Sequence, residues 1–175
     1  MPSHQTPGRV RTPSVRELQR LTPPFLAAFA VQSCRHFLTA ACVKGGVPKD
    51  LVSELEFDSA INLMEHHLLD PKNPLDDCPV PNFANFGLSA VRLEGKIQDA
   101  LYRTFELVGD YTFDGTPPSV PDVHDLIRSC VRATEGTSLR TDLRRVIDTL
   151  LCLQSSLQAD VLPGIPSDLF TRLRN

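Results

Sequence analysis

The chain has 175 residues, of which 41% are hydrophobic and 22% are charged, and its formal net charge is −3 at pH 7. These values predict one ordinary globular domain and exclude a protein that binds nucleic acid simply as a polycation. The cations are unbalanced, since 14 arginines accompany only 4 lysines, and arginine offers a planar fork that suits carboxylates and phosphates. Because there is no tryptophan and only 6% of the residues are aromatic, we do not expect a stacking platform for bases or sugars.

The five cysteines are odd in number and include no C-x-x-C pair. This pattern argues against a zinc ribbon or a secreted disulfide scaffold, and it predicts free thiols in an intracellular compartment, cytoplasmic or nuclear.

The N-terminus has no apolar stretch of the kind found in secretory signals. The longest apolar stretch, residues 25–43, has Gln32, Arg35 and His36 near its middle, which favours a buried core helix and predicts no membrane span.

The N-terminal third is expected to consist of a tail and two helices. Residues 1–13 hold three prolines and no acidic residue, so we predict a disordered basic tail followed by a single α-helical domain over 14–175. Ser14 and Glu17 form a capping-box pattern, which predicts a short first helix. The second helix is expected from Pro23 to about residue 43, and it is apolar around most of its circumference, as the central helix of a bundle would be.

Two proline-rich loops are expected to interrupt the helices. The third helix is predicted to open at Pro48 and to end before Pro71, with a break near residues 57–59, where good capping residues occur. Residues 70–88, with four prolines, then form the first loop, and residues 110–120 form the second. Loops of this length are either functional or held over the core by their own apolar side chains.

The C-terminal half shows the clearest helical periodicity. Apolar residues recur at four-residue spacing over residues 93–108, and we expect that fourth helix to end at Gly109. Ser119 and Ser138 are the predicted starts of a fifth and a sixth helix, and residues 167–174 form a short last one. No stretch alternates polar and apolar residues as a strand would. The sequence therefore predicts an all-α fold, a single-domain bundle of about six to seven helices.

Three residues are weak candidates for a metal site. His66 and Asp70 are spaced i, i+4, as metal ligands on one helix are, and Asp77 follows closely in the chain. The alternative is a histidine that interacts with the free carbonyls of the last helical turn.

Cys34 and His36 cannot pair with each other, because residues two apart on a helix point to different sides. No phosphate-binding glycine loop or nucleophile elbow is present, so no cofactor is predicted.

Five arginines in the C-terminal half form the predicted partner-binding surface. They fall at helical spacing off the apolar stripes, so we expect them on exposed faces. Such a surface suits an acidic protein or a phosphate backbone, and the alternative is a solvated face neutralised by nearby aspartates. The five are Arg128, Arg132, Arg140, Arg144 and Arg145. In the tail, Thr6 and Thr12 each precede proline, and this resembles the sites of proline-directed kinases, so both are predicted phosphorylation sites.

Three functions compete at this point. The first is a non-enzymatic helical interaction protein, either a subunit, an adaptor or a viral-type accessory or structural protein, bound to a protein partner or to itself. The second is a small metal-dependent enzyme centred on His66, Asp70 and Asp77. The third is a nucleic-acid-associated factor that uses its arginine-rich helix faces. The missing catalytic motifs favour the first, so the chain is not expected to be an enzyme.

Overall fold

The computed structural model describes residues 10–47, 57–70, 88–157 and 165–174, and for 57–58 and 88–92 it describes the backbone. Within these ranges there are seven helices and no strand, which confirms the all-α fold. The helices are α1 (Val15–Gln19), α2 (Pro23–Lys44), α3 (Phe57–Leu69), α4 (Leu88–Asp114), α5 (Val120–Ala133), α6 (Leu139–Ser156) and α7 (Leu169–Arg174).

The capping box predicted at the start of α1 is confirmed. The Glu17 amide donates to Ser14 Oγ, and the Ser14 amide donates to Glu17 Oε1, both at 3.2 Å. Two amides that would otherwise lack a partner at the start of the helix are satisfied in this way. The arrangement also holds the Glu17 carboxylate on one side of α1, where it meets α6.

The central helix of the bundle is α2, which packs against α3, α4, α5 and α6. It is buried on all sides over most of its length, with Phe29 and Phe37 among its largest enclosed side chains. In the described part of the chain, α2 alone is long and apolar enough to cross a membrane, but 78% of its most apolar window is buried inside the molecule. The predicted stop after it is also observed, because Gly46 adopts a positive φ of 89° that other residues rarely take.

Helix α4 is longer than the sequence predicted. It continues through Gly109 to Asp114, so the expected linker of residues 110–120 shrinks to residues 115–119. Tyr111 in the extra turns packs against the core, and the Thr112 hydroxyl is satisfied by the Val108 carbonyl at 2.8 Å. A helix tolerates one interior glycine at a cost of about 1 kcal/mol, and the packing offsets this. The helix ends where Gly115 takes a φ of 68°.

The expected start of α5 and the buried stripes of α5 and α6 agree with the structure. Ser119 caps α5 by accepting a hydrogen bond from the Asp122 amide at 3.4 Å. Ser138 occupies the cap position of α6, but its hydroxyl donates to Asp142 Oδ2 at 3.0 Å instead of accepting from the backbone. The apolar residues of both helices face α2.

Several predictions fall wholly or partly on residues outside the described ranges. These are the opening of the third helix at Pro48, nearly all of the first proline-rich loop, and residues 1–9 of the predicted tail. The rest of that tail, residues 10–13, lies against the bundle. Pro13 is buried there, and the Arg11 carbonyl accepts a hydrogen bond from Arg144 at 3.2 Å.

Candidate functional site

The five predicted arginines do not form one surface, because they differ in what they contact. Arg128 and Arg132 lie one turn apart on the outer side of α5, both exposed, and neither has an ion-pair partner within the described ranges. Arg145 on α6 is also exposed and lies 3.9 Å from Asp142. Arg140 is partly buried and lies 3.9 Å from Glu135. We call Arg128 and Arg132 the arginine pair.

Arg144 is bound inside the molecule. Its two terminal nitrogens contact both carboxylate oxygens of Glu17, and one of them also donates to the Arg11 carbonyl. Hydrogen bonding from Arg144 is the main reason why the pKa of Glu17 falls from 4.5 to about 2, and the Ser14 contacts add to it against the opposing effect of burial. The same contact raises the pKa of Arg144. This arginine therefore joins α6 to α1.

A second contact fixes the same N-terminal segment on α6. The side-chain oxygen of Gln154 accepts from the Thr22 amide at 2.8 Å, and its nitrogen donates to the Arg20 carbonyl at 2.7 Å. These two backbone groups lie at the turn between α1 and α2, where helical hydrogen bonding leaves groups unsatisfied. With Arg144, this glutamine fixes the α1 segment on α6, and α1 also packs against α5, the helix that carries the arginine pair.

An acidic and aromatic surface on α4 was missed by the sequence reasoning. Tyr102 and Phe113 are 51% and 85% exposed, and Glu106 and Asp110 are exposed beside them. Tyr102, Glu106 and Phe113 are separated by four and seven residues, so they share one side of the helix. The prediction that the helix ends at Gly109 had assigned Asp110 and Phe113 to a linker. Continuing the helical spacing past Gly109 would have revealed the surface.

A cleft of about 460 Å³ lies between the C-terminal half of α2 and the turn that joins α5 to α6. His36, Lys44, Ser138 and Asp142 contribute polar groups to it. The pKa of His36 is lowered, mainly because burial disfavours the charged imidazolium, although nearby Asp142 acts in the opposite direction. The Ser138 hydroxyl donates to Asp142, and Lys44 donates to the Glu135 carbonyl at 3.0 Å. The serine is thus oriented by the aspartate, and its hydroxyl is not directed to the histidine as a nucleophile would be.

The structure describes two of the three metal candidates. His66 and Asp70 are both exposed at the end of α3, and Asp77 lies outside the described residues. No group of three or more histidine, cysteine or acidic side chains in the described ranges is close enough to hold an ion. His67 is buried, and its pKa is lowered first by burial and then by the neighbouring His66.

The cysteines with described positions are not joined by disulfides. Cys34, Cys42 and Cys130 are buried, and Cys152 is exposed on α6. Burial raises the pKa of the Cys42 thiol to about 12 and raises that of Cys130 further, so neither thiol is activated as a nucleophile.

A buried carboxylate on α3 is a further polar group that the sequence did not reveal. Glu65 accepts a hydrogen bond from Gln32 at 2.7 Å and forms an ion pair with Arg35 at 2.9 Å, both from α2. It also contacts Arg174 of α7, which donates to Asn62 as well. Glu65 therefore links three helices, as a structural residue does.

The predicted phosphorylation sites differ in what the structure shows. Thr12 is half-buried and precedes the buried Pro13, whereas Thr6 lies outside the described residues.

Comparisons with protein-family models, with curated proteins and with solved structures find no match to this chain.

Proposed function

We propose that the chain is a non-enzymatic helical interaction protein whose arginine pair binds an acidic segment of a protein partner. The observation that carries this proposal is the exposure of Arg128 and Arg132 one turn apart on α5, with no carboxylate in ion-pair contact among the described residues. Each guanidinium presents a fork that binds a carboxylate through two parallel hydrogen bonds. Two such groups about 6 Å apart along a helix match carboxylates one turn apart on a partner helix.

A protein segment fits this position better than a nucleic-acid backbone does. The same helix begins with the exposed Asp122 and Asp125, and α4 beside it adds Glu106 and Asp110. A phosphate backbone that continued past the arginine pair would meet these carboxylates, whereas a short acidic segment ends before it reaches them. Charge around the pair thus favours a protein surface that presents its carboxylates in one short patch.

The surroundings of His36 and of the buried cysteines also favour an interaction role over catalysis. His36 lies in a cleft, but the serine there is hydrogen-bonded to Asp142. The buried Cys42 and Cys130 have raised pKa values, which is the reverse of an activated thiol. These groups supply no activated nucleophile for the enzyme hypothesis, and metal binding finds no support in the exposed positions of His66 and Asp70.

The direct test is the binding of a fluorescently labelled glutamate-rich peptide, followed by fluorescence anisotropy. We expect Arg128→Glu/Arg132→Glu to weaken binding by about tenfold or more, since it replaces two attractive charges by repulsive ones. The matched control is Lys96→Glu/Arg172→Glu, which makes the same change of net charge at two exposed positions on other helices. Equal loss in both variants would show general charge attraction only and would contradict the proposal.

A competition experiment separates the protein ligand from nucleic acid. Unlabelled duplex DNA of random sequence is titrated against the bound peptide at physiological salt. If DNA displaces the peptide at concentrations where unlabelled peptide does not, and labelled DNA binds the unchanged chain but not Arg128→Glu/Arg132→Glu, the surface is a nucleic-acid site and the protein-partner proposal is wrong. Affinity capture from the native host then identifies the ligand. It is a protein that the unchanged chain binds and that Arg128→Glu/Arg132→Glu does not.

A further inference from the structure

The outer side of α4 has the composition of a binding surface. Phe113 is 85% exposed, which is the largest exposure among the large hydrophobic side chains with described positions, and Tyr102 lies on the same side. Glu106 and Asp110 stand between them, exposed and one turn apart. Aromatic residues are enriched at protein interfaces relative to the rest of the surface. We call these four residues the α4 surface.

The carboxylates of the α4 surface lack a cationic partner in the same molecule, as far as the described ranges extend. Arg103, the cation nearest to them on α4, pairs instead with Asp125 at 2.9 Å and with Asp99 at 3.7 Å. The contact from Arg103 to Asp125 also fixes α5 beside α4. The α4 surface and the arginine pair therefore lie on neighbouring helices, and no ion pair joins them within the described residues of one molecule.

We propose that the α4 surface binds the arginine pair of a second copy of this chain. The spacing agrees, because Glu106 and Asp110 are one helical turn apart on α4, as Arg128 and Arg132 are on α5. Each carboxylate can then meet one guanidinium across a helix-to-helix contact, and Phe113 offers a face on which a guanidinium stacks. The inference rests on the proposed function, since it names a second copy as the source of the acidic segment.

The charge distribution along the chain supports this choice of occupant. Residues 94–125 contain seven carboxylates and two cations, whereas residues 126–145 contain five arginines and two carboxylates. One molecule thus carries two neighbouring regions of opposite sign. Opposite regions on identical chains attract one another in either a closed dimer or a head-to-tail assembly.

The test is a charge-reversal exchange in the full chain, followed by analytical ultracentrifugation over a concentration series. The unchanged protein is expected to self-associate at low salt and to do so less as salt rises. Glu106→Arg/Asp110→Arg and Arg128→Glu/Arg132→Glu are each expected to be monomeric, because each places like charges across the contact. An equal mixture of the two variants should associate again, since the reversed surfaces are complementary. Phe113→Ser should weaken association by about tenfold without reversing any charge.

Controls separate this inference from the proposed function. Asp70→Arg/Asp168→Arg changes charge by the same amount as Glu106→Arg/Asp110→Arg at exposed positions elsewhere, and it should associate like the unchanged chain. Circular dichroism establishes that each variant is folded. If the unchanged chain stays monomeric at low salt, or if mixing restores nothing, the inference is overturned. Glutamate-peptide binding that still depends on the arginine pair would then leave the proposed function standing alone.

Discussion

Replacing Glu17 with glutamine should loosen the attachment of α1 to α6. The Glu17 carboxylate receives hydrogen bonds from Arg144 and from the backbone and side chain of Ser14. Glutamine keeps the shape of the side chain, but it removes the negative charge and turns one acceptor oxygen into a donor. That donor then faces the donors of Arg144, so at least one strong hydrogen bond is lost.

The size of the effect follows from the pKa of Glu17. A fall from 4.5 to about 2 corresponds to about 3.5 kcal/mol in favour of the charged form, at about 1.4 kcal/mol for each pKa unit. The Glu17 side chain is 29% exposed, so solvent screens part of this interaction. We therefore expect Glu17→Gln to lower the free energy of unfolding by about 1–2 kcal/mol at pH 7.

The pH dependence gives the sharper test. Because the pKa of Glu17 is lower in the folded chain, its stabilisation is complete above pH 4.5 and is lost as the pH falls from 4.5 towards 2. Urea unfolding followed by circular dichroism at several pH values measures the difference in the free energy of unfolding between the unchanged chain and Glu17→Gln. That difference should be largest at neutral pH and should shrink as the pH falls from 4.5 towards 2.

The control for this experiment is Asp148→Asn. Asp148 also lies near Arg144, at 3.9 Å, but its side chain is 62% exposed. We expect it to change stability by no more than about 0.5 kcal/mol. A Glu17→Gln effect that is absent at neutral pH, or that is the same at every pH, would refute the account of Arg144 as a residue that joins α1 to α6.

Other predictions test the core, the second α6 contact and the thiols. Leu101→Asp should prevent folding, which would be seen as the loss of cooperative thermal unfolding. An unpaired charge at this buried position costs several kcal/mol, against a total free energy of unfolding of about 5–15 kcal/mol for a typical domain. A folded variant would show that this side of α4 does not face the core. Gln154→Ala should lower the free energy of unfolding, measured in urea, by about 1–2 kcal/mol, because two backbone groups lose their hydrogen-bond partners. An unchanged urea midpoint would contradict this. Under native conditions a thiol reagent followed by mass spectrometry should label Cys152 before Cys34 and Cys42, and Cys130 only on unfolding. Equal labelling rates for Cys152 and Cys130 would contradict the described packing.

The local features of the sequence predicted most helices and several of their ends. Ser14 with Glu17, Ser119, and the glycines after α2 act over a few residues, so their effect can be read without the rest of the fold. The error at Gly109 has a different origin. Glycine does weaken a helix locally, but the packing of Tyr111 against residues distant in sequence outweighs that preference.

The polar contacts between helices could not be predicted from periodicity. Glu17 and Arg144 are 127 residues apart, and Glu65 joins side chains of α2 and α7. Helical spacing shows which residues avoid the apolar stripe, but it does not show which of them meet another helix. The relative placement of the helices decides that, and it is set by the core as a whole.

Neighbouring arginines of α6 show why this distinction matters for function. Arg144 and Arg145 both lie off the leucine stripe, yet Glu17 of α1 binds Arg144, whereas Arg145 is exposed. Spacing alone therefore overestimates the surface available to a partner. A guanidinium is available when no carboxylate of its own chain already binds it, and within the described ranges Arg128 and Arg132 meet that condition. Glu106 and Asp110 are among the exposed carboxylates that meet the same condition, and they share the one-turn spacing of Arg128 and Arg132. This match in spacing supports the proposed contact between copies.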